Sequence, residues 1–420
     1  MKRVVFGILF ILATVFAQAQ ISLEACQKKT HENYPLVRQY GLIEKTKEYS
    51  LSNASKGNLP QFTLSSKGTY QSDVTKIGAK IPGVELKPLS KDQYQVMLEM
   101  QQNIWDGGNI RTQRELAKTT SDVDREKLSV DMYALTERVN DLFFGILMLD
   151  EQLKQNALLQ EELERTFRQI SAYVENGVGN SADLDAVRVE QLNTTQKRTE
   201  LLASRTAYLK MLSIFTGDAI ANDATFAKPE EDIPVPSVTA GIYRPEMLWY
   251  EAQNGRLNVN EEALKVRNRP RISLFAQGAY GNPGLNALKN EFTPYYVAGV
   301  RLAWNFGGLY TLHNDKRLIE ASRQQLFSNR DVFLFNTELQ ATQQNSSIQS
   351  IRTLMQRDDE IISLRINIRK AAEAKVANGT LTVTDMLREI TSESLAKQTK
   401  ALHQVQLLMT IYQLKYTTNN

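Results

Sequence analysis

At 420 residues the chain has room for two or three domains, yet 50 Lys and Arg against 47 Asp and Glu leave a formal charge of only +3, with the two signs interspersed. That is no footprint for nucleic acid. With 42% apolar residues and a mean hydropathy of −0.37, nothing past the N-terminus is a run long enough for a membrane-spanning helix. A single cysteine, Cys26, rules out an intrachain disulfide framework.

The chain opens with Lys2-Arg3, an apolar run from Val4 to Phe16, and Ala17-Gln18-Ala19. This is the order of a secretory signal with an A-x-A cleavage site, so the protein is expected to leave the cytoplasm. Leu23-Glu24-Ala25-Cys26 can be read as a lipid-attachment site, but Glu24 is poorly suited to it and the A-x-A site lies upstream. Cys26 is therefore expected to be a buried helical cysteine.

Ser22 to about Asn58 reads as a helix with Ser22 as N-cap, a break near Pro35 and Gly57 near its end. Then the period changes. From Pro60 to Tyr70, Phe62, Leu64, Ser66, Gly68 and Tyr70 alternate with Thr63, Ser65, Lys67 and Thr69, a strand's pattern. From Gln93 to Trp105, Tyr94, Val96, Leu98, Met100 and Ile104 share one face. Gln93, Gln95, Glu99, Gln101 and Asn103 share the other, with Met97 the exception.

From about Asn109 to Val174 there is no proline and one glycine, Gly145, which predicts a helix of roughly 100 Å at about 1.5 Å per residue. Its seam steps alternately by four and three through Leu128, Met132, Leu135, Val139, Leu142, Ile146, Leu149, Leu153, Asn156, Gln160, Leu163, Phe167, Ile170 and Val174. Such heptads mean packed helices. A turn at Asn176-Gly177-Val178-Gly179-Asn180 precedes a return helix from about Ser181 to Phe215. Gly217, Pro229, Pro234 and Pro236 mark a linker.

The plan then repeats. Pro245, Pro270, Gly278 and Tyr280 answer Pro35, Pro60, Gly68 and Tyr70, each shifted by 210 (280 − 70 = 210). Ile272, Leu274, Ala276, Gly278 and Tyr280 form one alternating face, opposed by Arg271, Ser273 and Gln277. Tyr296, Ala298, Val300, Leu302 and Trp304 form another, opposed by Arg301 and Asn305. Trp304-Asn305-Phe306-Gly307-Gly308 answers Trp105-Asp106-Gly107-Gly108, its glycines shifted by 200, so the intervening loop of the second copy is about ten residues shorter. Leu334, Ala341, Ile348, Met355 and Ile362 recur every seven residues. The turn Asn378-Gly379-Thr380-Leu381-Thr382 follows, with Asp385-Met386 where the first copy has Asp183-Leu184 (385 − 183 = 202). The expected organisation is a signal peptide at 1–19, a first repeat at 20–216, a linker at 217–240, a second repeat at 241–416 and a frayed tail at 417–420.

No catalytic residue, cofactor or metal site is expected. His31, His313 and His403 are far apart and lack a metal-ligand partner at suitable spacing. Ser394-Leu395-Ala396-Lys397 satisfies S-x-x-K, but it lies in a predicted helix and has no K-T-G companion. Asn378-Gly379-Thr380 fits a glycosylation sequon, whereas its counterpart Asn176-Gly177-Val178 does not. The shared feature is a helix-ending turn.

Four strands of about ten residues suit a tilted bilayer crossing, with aromatic residues at the interfaces. A half-buried sheet in a soluble domain gives the same alternation; the signal peptide favours the membrane reading. Four strands cannot close a membrane barrel, and open edges cannot face lipid. Two copies would supply about eight strands and a filled interior, three about twelve and a conduit whose wet face carries Gln95, Glu99 and Arg301.

The signal peptide, the Ser22-Leu23-Glu24-Ala25 opening, the doubled helix-strand-strand-hairpin plan and the tips Gly177-x5-Asp183-Leu184 and Gly379-x5-Asp385-Met386 resemble the TolC-like outer-membrane efflux protein family. The resemblance covers nearly all of the mature chain. It implies an α+β fold of long antiparallel α-helical hairpins forming an α-barrel, with four transmembrane β-strands per chain contributing to a shared 12-stranded β-barrel. It also implies a homotrimer in the outer membrane of a Gram-negative bacterium, extending into the periplasm. Such a trimer is a passive duct, working with a periplasmic adaptor and an inner-membrane transporter in efflux or type I secretion. Adaptor docking would fall on Asn176, Gly177, Val178, Gly179 and Asn180, and on Asn378, Gly379, Thr380, Leu381 and Thr382. In the family, acidic residues after the second tip narrow the periplasmic aperture. Asp385 matches the first such position and Asp183 is its repeat equivalent, while Arg388 stands where a second acid is common. Helix-start carboxylates are the alternative account of both aspartates. A periplasmic coiled-coil adaptor or scaffold is the alternative for the whole chain, since it too uses long hairpins.

Overall fold

The computed structural model describes residues 20–75, 89–230 and 241–419. The expected signal peptide lies outside them, as does part of the expected linker. Two compact units are present: one takes the chain up to Val37, Ser129–Pro245 and everything from Val332, the other Arg38–Leu128 and Glu246–Asp331. Each unit draws on both sequence repeats.

Helix α1 (Leu23–Asn33) begins at Ser22, whose Oγ accepts from Ala25 N at 3.2 Å and satisfies one of the free amides of the first turn. Tyr34 ends it in extended conformation before Pro35, and α2 (Val37–Lys56) resumes beyond the bend. Next come β1 (Gln61–Tyr70), β2 (Asp92–Trp105), α3 (Asn109–Glu175) and α4 (Ser181–Thr216). The second half gives α5 (Pro245–Arg267), β3 (Arg271–Asn282), β4 (Thr293–Ala303), α6 (Gly307–Ala377) and α7 (Val383–Thr418). The expected fold class is the one observed: long helical hairpins with a small antiparallel sheet.

The sheet belongs to the second unit and runs β1-β2-β3-β4, antiparallel throughout, with β1 and β4 as edges. Register puts Leu64 opposite Leu98, Leu98 opposite Gly278, and Gly278 opposite Tyr296. One face thus carries Phe62, Leu64, Tyr94, Val96, Leu98, Leu274, Tyr280, Tyr296, Val300 and Leu302. Two sequence expectations shift at the strand ends. A register slip between Asn103 and Trp105 leaves Ile104 in a bulge, and β4 stops at Ala303. There Trp304 turns away and donates from Nε1 to Asn268 O at 3.0 Å.

In the first unit the α3 seam is the core. Leu128, at the edge of the other unit, and Met132, Leu135, Val139, Leu142, Ile146, Leu163 and Ile170 are all buried. Around Val139–Leu147 they meet Leu23 and Cys26 of α1, Leu209 and Leu212 of α4, and Val405 and Leu408 of α7. Gly145 lets the Tyr208 ring lie against α3, where an added Cβ would come within 2.4 Å of Cε1. Asn156, the first polar break in the seam, is buried and donates to Thr194 O of α4 at 3.1 Å.

The expected fraying from residue 417 is corrected by the structure. Thr417 and Thr418 belong to α7 and are 0% and 1% exposed. Tyr416 stacks on Tyr133 with ring centroids 4.8 Å apart, and Tyr133 Oη donates to Tyr416 O at 2.7 Å. Tyr243 N donates to Thr418 O at 3.0 Å, and Asn419 Nδ2 donates back to Tyr243 O at 2.7 Å. The Arg244 guanidinium lies over the rings of Tyr133, Phe333 and Tyr416. Position near a terminus predicts mobility only when nothing holds the segment down.

Candidate functional site

Two surfaces hold the residues expected to matter for function: the ends of the helical hairpins and the two faces of the sheet. At the first hairpin end, Gly177 N donates to Val174 O at 3.0 Å, and Val178 N and Gly179 N both donate to Tyr173 O. Asn176 Nδ2 caps Ala172 O at 2.7 Å, while Asn180 Oδ1 accepts from Ala182 N at 3.1 Å and starts α4. The second end repeats this geometry: Gly379 N to Val376 O, Thr380 N to Lys375 O, and Asn378 Nδ2 to Ala374 O. Gly177 and Gly379 have φ of +73° and +68°, the left-handed conformation that a residue without Cβ adopts at little cost.

The two ends are brought together. Leu163, Ile170 and Val187 of the first hairpin pack with Ala372, Val383, Met386, Leu387 and Ile390 of the second, and Leu184 and Leu381 join at the margin. Val178, by contrast, is exposed. Asp183 and Asp385 both fall in the first turn of a return helix. Thr382 Oγ1 accepts from Asp385 N at 3.1 Å and donates to Asp385 Oδ2 at 2.7 Å. Arg388 Nη2 stands 3.5 Å from Asp385 Oδ1. Thr382 is therefore the cap, and Asp385 is its hydrogen-bond partner and half of an exposed ion pair.

Sequence reading missed a charged cluster behind these ends. Arg369 Nε donates to Glu393, its Nη1 reaches Glu373, and Glu162 of the first hairpin is 3.6 Å away. Lys397 Nζ also donates to Glu393, whose side chain is only 6% exposed. Burial alone would raise the Glu393 carboxyl, but the hydrogen bonds from Lys397 and Arg369 outweigh it and hold it below the usual range. The signal was available: the register Leu334, Ala341, Ile348, Met355, Ile362 continues onto Arg369. Further along, Asp358, buried on α6, meets His403 Nδ1 of α7 at 2.9 Å.

The sheet is inside out relative to a soluble one. Its apolar face is the open one, with Leu98 50%, Val300 67% and Tyr296 83% exposed. Its polar face is the more covered and more bonded: Gln95 donates to Tyr295 Oη, Gln101 Nε2 to Ser273 Oγ at 3.4 Å, and Arg301 pairs with Glu99 at 3.5 Å. Arg301 also lies 4.9 Å from the Phe275 ring centre. Among the described residues no group of three or more His, Cys, Asp or Glu could hold a metal ion, and no helix is long and apolar enough to cross a membrane. The latter says nothing against strands.

A four-stranded sheet with an exposed apolar face and two long helical hairpins are features this chain shares with solved outer-membrane channels. The chain aligns over 95% of its length with 92% of CusC (TM-score 0.72, 13% identity), whose reported structures concern transmembrane channel formation. It covers 94% of its own length and 94% of the outer membrane protein VceC of Vibrio cholerae (TM-score 0.67, 13% identity). With the open-state MtrE outer membrane channel of Neisseria gonorrhoeae the figures are 95% and 89% (TM-score 0.66, 13% identity). No curated protein matches the sequence. Residues 28–217 match the family model described as outer membrane efflux protein. By sequence the likeness to that family spans those residues, and the fold of the outer-membrane channels extends it over nearly the whole chain.

Proposed function

We propose that the chain is one subunit of a homotrimeric channel in the outer membrane of a Gram-negative bacterium, conducting cargo passively outward from a periplasmic adaptor and an inner-membrane transporter. The observation that carries this reading is the sheet: an apolar face left open, a polar face knitted together, and edges at β1 and β4 that have no strand neighbour among the described residues. In lipid each unpaired edge amide is costly, so the edges must be closed by other copies. Three copies of four strands make twelve, enough for a water-filled lumen lined by the polar face.

The hairpins would extend into the periplasm. The adaptor would dock on their ends, at Asn176, Gly177, Val178, Gly179 and Asn180 and at Asn378, Gly379, Thr380, Leu381 and Thr382. Exposed Val178 supports a contact role, although the glycines are explained by turn geometry alone. Asp385 and Asp183 are the aperture candidates. Family and fold support a channel rather than an enzyme. A periplasmic scaffold has no use for an open apolar sheet.

The test is a planar-bilayer recording with detergent-purified oligomer. Discrete conductance steps, together with a protein that resists alkaline extraction from membranes, are expected. A correctly assembled trimer that conducts nothing, or a chain that washes off as soluble monomer, would overturn the reading.

A further inference from the structure

We infer that the sheet portion of this conduit prefers anions, so that its cargo class is solutes of net negative charge. This rests on the channel reading above. Among the described residues of the four strands, register places four charged side chains on the polar face: Lys67 on β1, Glu99 on β2, Arg271 on β3 and Arg301 on β4. Three are cations and one is an anion. The anion is already matched, since Glu99 faces Arg301 at 3.5 Å. Lys67 and Arg271 are exposed and make no ion pair among the described residues.

The two unmatched cations lie at different heights. Lys67 pairs in register with Gln95, and Gln95 with Gly281, near the strand ends that lead into the β1–β2 and β3–β4 loops. Arg271 pairs with Ala303, next to the helix-connected ends. The Glu99–Arg301 pair falls between them. Closing three copies into one wall would turn each position into a ring of like charge, two cationic rings flanking a neutral one. The opposite face adds only Asp92, at a strand end and directed away from the lumen. At the hairpin ends, in the other unit, Asp385 is matched by Arg388 while Asp183 has no ion pair among the described residues, so the inference concerns the sheet portion alone.

Charges of one sign lining a narrow aqueous path raise the local concentration of the opposite ion. A potential of about one kT enriches an anion roughly threefold and thins a cation by the same factor. The effect should weaken as salt shortens the screening length from about 10 Å at 0.1 M to about 3 Å at 1 M.

The experiment is a reversal-potential measurement on the purified full-length oligomer in a planar bilayer, across a KCl gradient. Wild type should favour chloride over potassium by several-fold at low salt. The double variant Lys67→Gln/Arg271→Gln should lose most of that preference, Lys67→Glu/Arg271→Glu should reverse it, and Glu99→Gln, which frees Arg301, should increase it. All four positions face water, so the variants keep the strand pattern, and heat-modifiable trimer on gels confirms assembly. Potassium preference in the wild type, or a ratio unmoved by the Lys67 and Arg271 variants while current still flows, overturns the inference. Absence of current from assembled wild type would instead overturn the channel reading itself.

Discussion

Leu98→Arg is the sharpest test of which medium the sheet faces. Leu98 sits at the middle of β2, flanked in register by Leu64 and Gly278, on the open apolar face. If that face meets hydrocarbon, an arginine near mid-bilayer costs about 2–4 kcal/mol per strand. Three symmetry-related copies would place about 6–12 kcal/mol on one trimer. Gln277→Arg provides the matched control, because Gln277 lies opposite Glu99 on the polar face and makes no side-chain hydrogen bond among the described residues. There a cation meets lumen water and a nearby carboxylate, and the cost should stay below about 1 kcal/mol. Outer-membrane yield, heat-modifiable trimer on gels and urea unfolding in vesicles read the two variants side by side. A soluble sheet predicts the reverse order: Leu98→Arg would be nearly neutral on a wet face, and Gln277→Arg would disturb the covered one. Equal or inverted sensitivities would therefore refute the membrane assignment.

Cys26 is 2% exposed, and burial pushes its thiol up to about 11, so roughly one molecule in a thousand carries thiolate at pH 8. Maleimide labelling should be negligible in the folded protein and complete in denaturant; rapid labelling under native conditions would show that α1 is not packed as described. Arg369→Ala should destabilise by about 3 kcal/mol in chemical unfolding, since it strips a buried carboxylate of a partner. Glu393, held below the ordinary carboxylate range, contributes stability that is full above that range and lost as pH falls through its depressed folded value. Glu393→Gln should accordingly flatten the acid limb of the stability profile, and an unchanged slope would refute the linkage. Asp385→Ala should raise single-channel conductance or relieve block by divalent cations if Asp385 narrows the aperture. Unchanged recordings, with a stability loss of about 0.3–1 kcal/mol, would leave it as a helix-start carboxylate.

Much of the fold was legible because it is written in periods. Alternation over Gln93–Trp105 and four-three spacing from Leu128 to Val174 are local signals of strand and coiled helix, and the structure reproduces both. Even the polar break at Asn156 has a readable cause, a donor owed to Thr194 O. What escaped notice depends on partners remote in sequence. Tyr243 bonds Thr418 while Tyr133 and Arg244 hold the adjoining Tyr416, all from other elements, and nothing in Thr-Thr-Asn-Asn announces that. Arg369 was visible in register but looked like a solvated charge, since Glu393 and Glu162 come from other helices and only Glu373, four residues on, is local. The polarity of the sheet was the most instructive ambiguity: alternation fixes that two faces differ, while only the exposures tell which one is turned outward.

That same logic of unmatched surface extends to the helices of the first unit. α6 meets its own chain along Ala341, Ile348 and the partly buried Met355 and Ile362. It carries a second apolar set as well, Leu354, Ile361 and Ile368 at seven-residue spacing, with Val332 and Leu339 also seven apart. All five are between 46% and 56% exposed, which a water-facing helix surface does not require. A helix walled in on one side only needs one seam; a helix within a closed ring of helices needs two. The second seam of α6 and the edges of β1 and β4, which lack a strand neighbour among the described residues, are each what the proposed assembly of copies would cover. In the trimer proposed above, β1 of one copy would join β4 of the next, and within the first unit the exposed apolar row of α6 would be covered by a neighbouring copy.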